Sequence, residues 1–208
     1  MIYALKKFFD TNYNVKFLKF LYGRYFLKDK IFRRSPILHA YRSVKLKPRN
    51  LKVVEIGVAD GTHAQEMLKY KHKGLNVRIS QLYLVDTWYF KNNNSKIFDN
   101  KISRKNYNKV LKLKKKYPNI KLIKNSSVEA AKKFKNNNFD FIYIDADHSY
   151  DSVYLDLKAW FPKLKKDGII AGDDFAPYYP RVIKAVYKFA KEKNLMIFEE
   201  FNQFWMQK

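Results

Sequence analysis

Residues Leu51-Lys52-Val53-Val54-Glu55-Ile56 run directly into Gly57-Val58-Ala59-Asp60-Gly61-Thr62-His63, and this junction decides the fold. An apolar run of strand length meets two glycines and then a charged stretch of helical pattern, which reads as buried strand, tight turn and helix. Glycine permits a turn and a close backbone approach that a Cβ would block, and the helix start that follows presents free N–H groups. A strand-turn-helix of this kind is the phosphate or nucleoside end of a parallel α/β sheet.

Outward from that junction the alternation continues. Apolar segments near 51–56, 79–85, 120–124, 139–144 and 168–172 predict strands, and the stretches near 62–72, 99–116, 127–135, 150–161 and 180–193 predict helices. The order is that of repeated βαβ units, so the expected architecture is a Rossmann-like α/β fold with helices on both faces of a mostly parallel, seven-stranded sheet. Leu195–Glu199 and Gln203–Met206 would close the chain as an antiparallel hairpin-like addition. Two regions follow: a basic, mainly helical extension over 1–50 and a cofactor-binding domain over 51–208.

Chemistry concentrates at the expected strand ends. The loop residues Gly57, Val58, Ala59, Gly61 and Thr62 are candidate cofactor contacts, but such a loop alone serves NAD, FAD and S-adenosylmethionine (SAM) equally well. Glu55 separates them, because a carboxylate there attracts a cationic methionine moiety and repels a pyrophosphate. Asp86 ends the second strand, where a carboxylate can accept from both ribose hydroxyls. Ser126 and Ser127 follow the third strand, and Ser127 reads as a helix N-cap as well as it does as an adenine contact. Asp145 ends the fourth strand in Asp145-Ala146-Asp147-His148, and Asp173-Asp174 ends the fifth. Adjacent parallel strands open into one crevice, so Asp145, Asp173 and Asp174 can converge on a hard divalent cation such as Mg²⁺.

Together Glu55-Ile56-Gly57-Val58-Ala59-Asp60-Gly61, Val85-Asp86-Thr87-Trp88, Ile144-Asp145-Ala146-Asp147-His148-Ser149-Tyr150 and Ile169-Ile170-Ala171-Gly172-Asp173-Asp174-Phe175 resemble class I SAM methyltransferases. The narrower resemblance is to the metal-dependent sugar O-methyltransferases of macrolide and aminocoumarin biosynthesis. It implies that Asp145, Asp173 and Asp174 bind Mg²⁺ and that Asp147 or His148 is the general base. It also implies that Glu55 and Gly57 meet the methionine end of SAM and Asp86 its ribose. Ala59 stands where that pattern has its middle glycine, and Ser126 where many members carry an adenine-side Asp, so the resemblance puts Ser126 at the adenine. The implied reaction is methyl transfer from SAM to a hydroxyl of a sugar, glycan or other small polyhydroxyl acceptor. Two other readings stand beside it: a nucleic-acid methyltransferase, and a non-catalytic module that binds a partner through residues 1–50.

Composition constrains these readings. The net charge of +24 invites polyanions, but only 8 of the 43 cationic residues are Arg, the residue favoured where phosphates and base edges are clamped. The absence of cysteine excludes disulfides, thiol catalysis and Cys-bound zinc. No apolar run reaches bilayer length, and Lys6, Lys7 and Asp10 break any signal-peptide pattern, so the expectation is a soluble cytoplasmic protein without a transmembrane segment. Residues 1–50 carry 13 Lys or Arg against Asp10 and Asp29. Phe17, Leu18, Leu21, Tyr25 and Phe26 make an apolar stripe there, suited to packing on the domain, on a second copy in a homo-oligomer, or on a membrane surface.

Overall fold

A computed structural model describes residues 50–69, 78–91, 97–98, 101–200 and 202–208. The expected helical extension over 1–49 lies outside the described residues. In chain order the elements are β1 (Asn50–Ile56), α1 (Thr62–Lys69), β2 (Arg78–Asp86), β3 (Phe90–Lys91), β4 (Ile97–Phe98), α2 (Lys101–Lys116), β5 (Ile120–Lys124) and α3 (Ser127–Lys132). They continue with β6 (Phe139–Ile144), α4 (Tyr150–Trp160), a 3₁₀ turn (Phe161–Lys163), β7 (Leu164–Gly172), α5 (Pro180–Lys193), β8 (Phe198–Glu200) and β9 (Gln203–Gln207).

Seven strands form one sheet in the order β5-β2-β1-β6-β7-β9-β8. β5, β2, β1, β6 and β7 are parallel, whereas β9 runs antiparallel to both β7 and β8. The expected mostly parallel sheet with an antiparallel terminus is therefore present. Alternation along the strands feeds two cores. Val53, Phe141, Tyr143 and Ile169 face Ala64 and Met67 of α1 and Val110 and Leu113 of α2. Val54, Ile142, Ile144 and Ile170 face Ala130 of α3, Leu157 and Trp160 of α4 and Phe189 of α5. Both sheet faces are thus covered, as a parallel sheet requires.

Some boundaries differ from expectation for local reasons. β7 begins at Leu164 rather than 168, because fully buried Leu164 pairs with Phe139 while the strand shifts register around a left-handed Asp167 (φ 63°). The charged Lys165-Lys166-Asp167 run looks like a turn and conceals that strand start. α3 stops at Lys132, not 135. The strand expected at 195–199 is the shorter Phe198–Glu200, joined to β9 through Asn202 at φ 66°. The small β3–β4 pair was not expected.

Candidate functional site

The site forms where the sheet order reverses, between β1 and β6, the place at which loops diverge and leave a crevice. Backbone hydrogen bonds stitch the strand ends together: Gly57 N donates to Val85 O at 2.9 Å, Asp145 N to Ile56 O at 2.7 Å, and Asp173 N to Ile144 O at 3.2 Å. Gly57 sits at φ +81°, and a Cβ there would lie 1.9 Å from the carbonyl oxygen of Asp145. Glycine is therefore demanded first by the neighbouring strand end, in addition to any ligand. Gly61 is also left-handed, at φ +79°. Ala59, in place of the middle glycine, adopts φ 48°, a conformation an alanine holds at a cost of about 1–2 kcal/mol.

Asp86 secures this loop. Its Oδ2 accepts from Val58 N at 2.9 Å and Ala59 N at 3.0 Å, and its Oδ1 accepts from Trp88 N at 2.6 Å. Trp88 Nε1 closes the arrangement by donating to Ala59 O at 3.0 Å. Both carboxylate oxygens are thus engaged with the chain itself, and a ribose would have to use a remaining lone pair. The Thr62 hydroxyl is taken up within the loop itself, donating to Asp60 Oδ1 at 2.7 Å. The Lys109 ammonium, 2.8 Å from Asp60 Oδ2, holds the Asp60 carboxyl below its usual range.

Glu55 is buried, with Oε1 3.1 Å from Nδ1 of His63. Its Oε2 and the Nε2 of His63 are buried without a hydrogen-bond partner among the described residues. Burial disfavours the charged imidazole, yet the nearby carboxylates of Glu55, Asp145 and Asp173 outweigh it and hold the His63 pKa above its ordinary value. The ring lies 4.3 Å from Tyr143, whose hydroxyl accepts from Gln203 Nε2 at 3.2 Å. His63 and Tyr143 were not among the expected site residues. The available signal was a titratable residue in the first turn of α1, one position from core-facing Ala64. An orphaned buried carboxylate oxygen beside a loop with no room for a side chain fits the ammonium of a methionyl cofactor.

On the other side of Gly57, one donor atom each of Asp145, His148 and Asp174 lie within 4.8 Å of one another. His148 Nε2 is 2.8 Å from Asp174 Oδ2 and 3.8 Å from Asp145 Oδ1. The Asp145 carboxyl is pushed up to about 7 by burial and then by the charges of Asp173 and Asp174. Burial raises Asp174 as well, opposed by His148. Crowded acids that resist ionisation suit a cation that would neutralise them. The converging set contains His148 rather than the expected Asp173, whose Oδ1 accepts from Asp174 N at 2.9 Å and whose carboxylate lies beside the Tyr143 hydroxyl. Two carboxylates and an imidazole form a mixed set suited to Mn²⁺, Fe²⁺, Co²⁺ or Zn²⁺, whereas Mg²⁺ favours oxygen alone.

Asp147 Oδ1 accepts from Ser149 N at 2.7 Å; a hydrogen bond with the Ser149 side chain, helped by this backbone bond, holds its carboxyl below the usual range against the effect of burial. Ser149 in turn caps α4 by accepting from Ser152 N. Ser126, not Ser127, is the N-cap residue of α3, and its side chain makes no cap bond; the Ser127 hydroxyl accepts from Trp160 Nε1 at 2.9 Å instead. Beside the acidic cluster opens a cavity of about 520 Å³ lined by Ala146, Asp147, His148, Ser149, Tyr178, Tyr179, Pro180 and Arg181. Its volume suits a ligand of one or two sugar rings.

The methyltransferase domain family model matches residues 54–175, more than half of the chain. No curated protein matches in sequence. Among solved structures, the O-methyltransferase NovP is 15% identical, with 83% of this chain and 77% of that one covered at a TM-score of 0.59. Spermidine synthase from Thermotoga maritima is 18% identical, covering 77% of this chain and 54% of that one at 0.53. Fibrillarin from Aeropyrum pernix, solved with bound SAM, is 14% identical, covering 85% and 75% at 0.50. At these identities the likenesses establish the fold. None of the described helices is long and apolar enough to cross a membrane.

Proposed function

As the chain belongs to the methyltransferase domain family and is a SAM-dependent methyltransferase, we propose that it methylates a hydroxyl of a sugar or other small polyhydroxyl acceptor with the help of a divalent cation. The observation that carries this reading is the convergence of Asp145, His148 and Asp174 at the edge of the cavity. SAM supplies a methyl group already activated on a sulfonium, so the protein's contribution is alignment and exclusion of water. Glu55 Oε2 would accept from the methionyl ammonium, the Gly57–Ala59 backbone would face the methionyl chain, and Asp86 would hold the loop while offering its remaining lone pair to ribose. Ser126 is exposed and would face the adenine.

A divalent cation between Asp145, His148 and Asp174 would supply the acidity that an acceptor hydroxyl lacks. With His148 in that set, Asp147 is the proton acceptor. Its carboxylate lines the cavity and stays ionised at neutral pH, and a weak base suffices for an acidified hydroxyl. Asp173 would hold the Tyr143 side of the cluster in place. The test is transfer of labelled methyl from SAM to a panel of sugars and nucleotide sugars, with Mn²⁺ or Mg²⁺ and then with EDTA. Cation-dependent labelling of a polyhydroxyl acceptor supports the reading. Labelling of RNA or DNA alone would replace it with the nucleic-acid reading.

A further inference from the structure

We propose that the acceptor is the end of an anionic glycan, whose negative groups lie along a cationic stripe that leads out of the cavity over α5 and α4. Arg181 lines the cavity at the first turn of α5, and Lys184 and Lys188 follow it at spacings of three and four residues, which places all three on one helix face. All three are exposed. At 1.5 Å per residue the row extends about 10 Å from the cavity mouth.

The stripe is ordered rather than diffuse. Lys184 Nζ lies 5.5 Å from the ring centre of Tyr150, and Lys188 and Lys158 lie 5.7 and 5.4 Å from that of Tyr154. The two rings are themselves stacked at 6.0 Å. Ammonium groups held over tyrosines lose less side-chain freedom when they meet an anion. Arg181 and Lys184 form no ion pair with a carboxylate among the described residues, whereas Glu192 pairs with Lys188 at 3.3 Å, interacts with the charge of Lys158 and accepts from the Tyr154 hydroxyl at 2.6 Å.

The stripe favours a glycan over a nucleic acid. Single-stranded nucleic acids gain much of their affinity by stacking bases on free aromatic faces, and here Tyr150 and Tyr154 are taken up by lysines and by each other. Tyr178 lines the cavity at 53% exposure, with its ring 5.1 Å from that of Tyr179 and its hydroxyl accepting from Asn202 Nδ2 at 2.8 Å, and its exposed face could meet one sugar face. The proposal rests on the reading of that cavity as the site of hydroxyl methylation.

A test must separate this stripe from the charge of a chain that is basic throughout. The probe is a fluorescent heparin hexasaccharide at physiological salt, titrated into the full chain, into a variant carrying Arg181→Ala, Lys184→Ala and Lys188→Ala, and into a charge-matched control carrying Lys112→Ala, Lys115→Ala and Lys116→Ala on α2. The stripe variant should bind at least about tenfold more weakly with a salt slope lower by about two, while the control stays within about twofold. Glu192→Gln should tighten binding. Unchanged S-adenosylhomocysteine affinity in each variant verifies the fold. Equal losses in stripe and control, or no loss in either, would overturn the proposal. A single-stranded oligonucleotide of equal charge that binds more tightly and depends on the same residues would also overturn it. Stripe-dependent hexasaccharide binding without methyl transfer to any polyhydroxyl would support the stripe and count against the proposed reaction.

Discussion

Asp156→Asn should stabilise the protein in a strongly pH-dependent way. Asp156 is buried in α4 at 4% exposure, and its carboxyl is pushed from 3.8 up to about 6. Burial is the main cause; a hydrogen bond with Ser127 opposes it, and the charge of Asp147 adds to it. The folded chain therefore holds this proton more tightly than the unfolded chain. Its stabilising contribution is complete below the unfolded value near 3.8 and is lost as pH rises through about 6. A rise from 3.8 to about 6 corresponds to about 3 kcal/mol. Asparagine keeps the shape and a partner for Ser127 but never ionises. The stability difference between variant and parent, measured by urea unfolding from pH 4 to pH 8, should therefore grow by about 3 kcal/mol in favour of the variant and level off above pH 7. A difference of equal size at pH 4 and pH 8 would refute the assignment of the buried charge.

Other outcomes follow from the site. Gly57→Ala forces a Cβ against the Asp145 carbonyl at positive φ, so it should cost about 3 kcal/mol or more in thermal or urea unfolding and abolish S-adenosylhomocysteine binding. Asp86→Ala releases Val58 N and Ala59 N and should weaken calorimetric S-adenosylhomocysteine binding by about tenfold or more while leaving cation affinity unchanged. His148→Ala and Asp174→Asn should each reduce Mn²⁺ affinity more than Asp173→Asn does; the reverse order would restore the all-carboxylate set. Mn²⁺ binding should strengthen as pH rises through about 7, because Asp145 must lose its proton to become a ligand.

The fold was legible because hydrophobic strands, turn glycines and charged helices alternate without interruption from Leu51 onward. What escaped the reading depends on contacts between distant segments. Gly57 reads as a ligand-facing glycine, but the atom that excludes its Cβ belongs to Asp145, 88 positions away. Asp86 reads as a ribose ligand, and only the folded chain brings Val58 N and Ala59 N to its Oδ2. Asp173 and Asp174 are neighbours in sequence, yet both lie past the end of β7 and Asp174 adopts a left-handed φ of 58°; one carboxylate lies beside Tyr143 and the other joins His148. His63 carries no sequence signal for burial, and only the folded chain brings Glu55 and Tyr143 against its ring.

The most direct test of the central claim is calorimetric titration of S-adenosylhomocysteine into the full chain with Mn²⁺, then with EDTA, beside an NADH control. The account predicts micromolar S-adenosylhomocysteine binding in both conditions, a separate Mn²⁺ binding event that EDTA removes, and no NADH binding. NADH binding in place of the nucleoside, or no binding of either ligand under any cation condition, would contradict it.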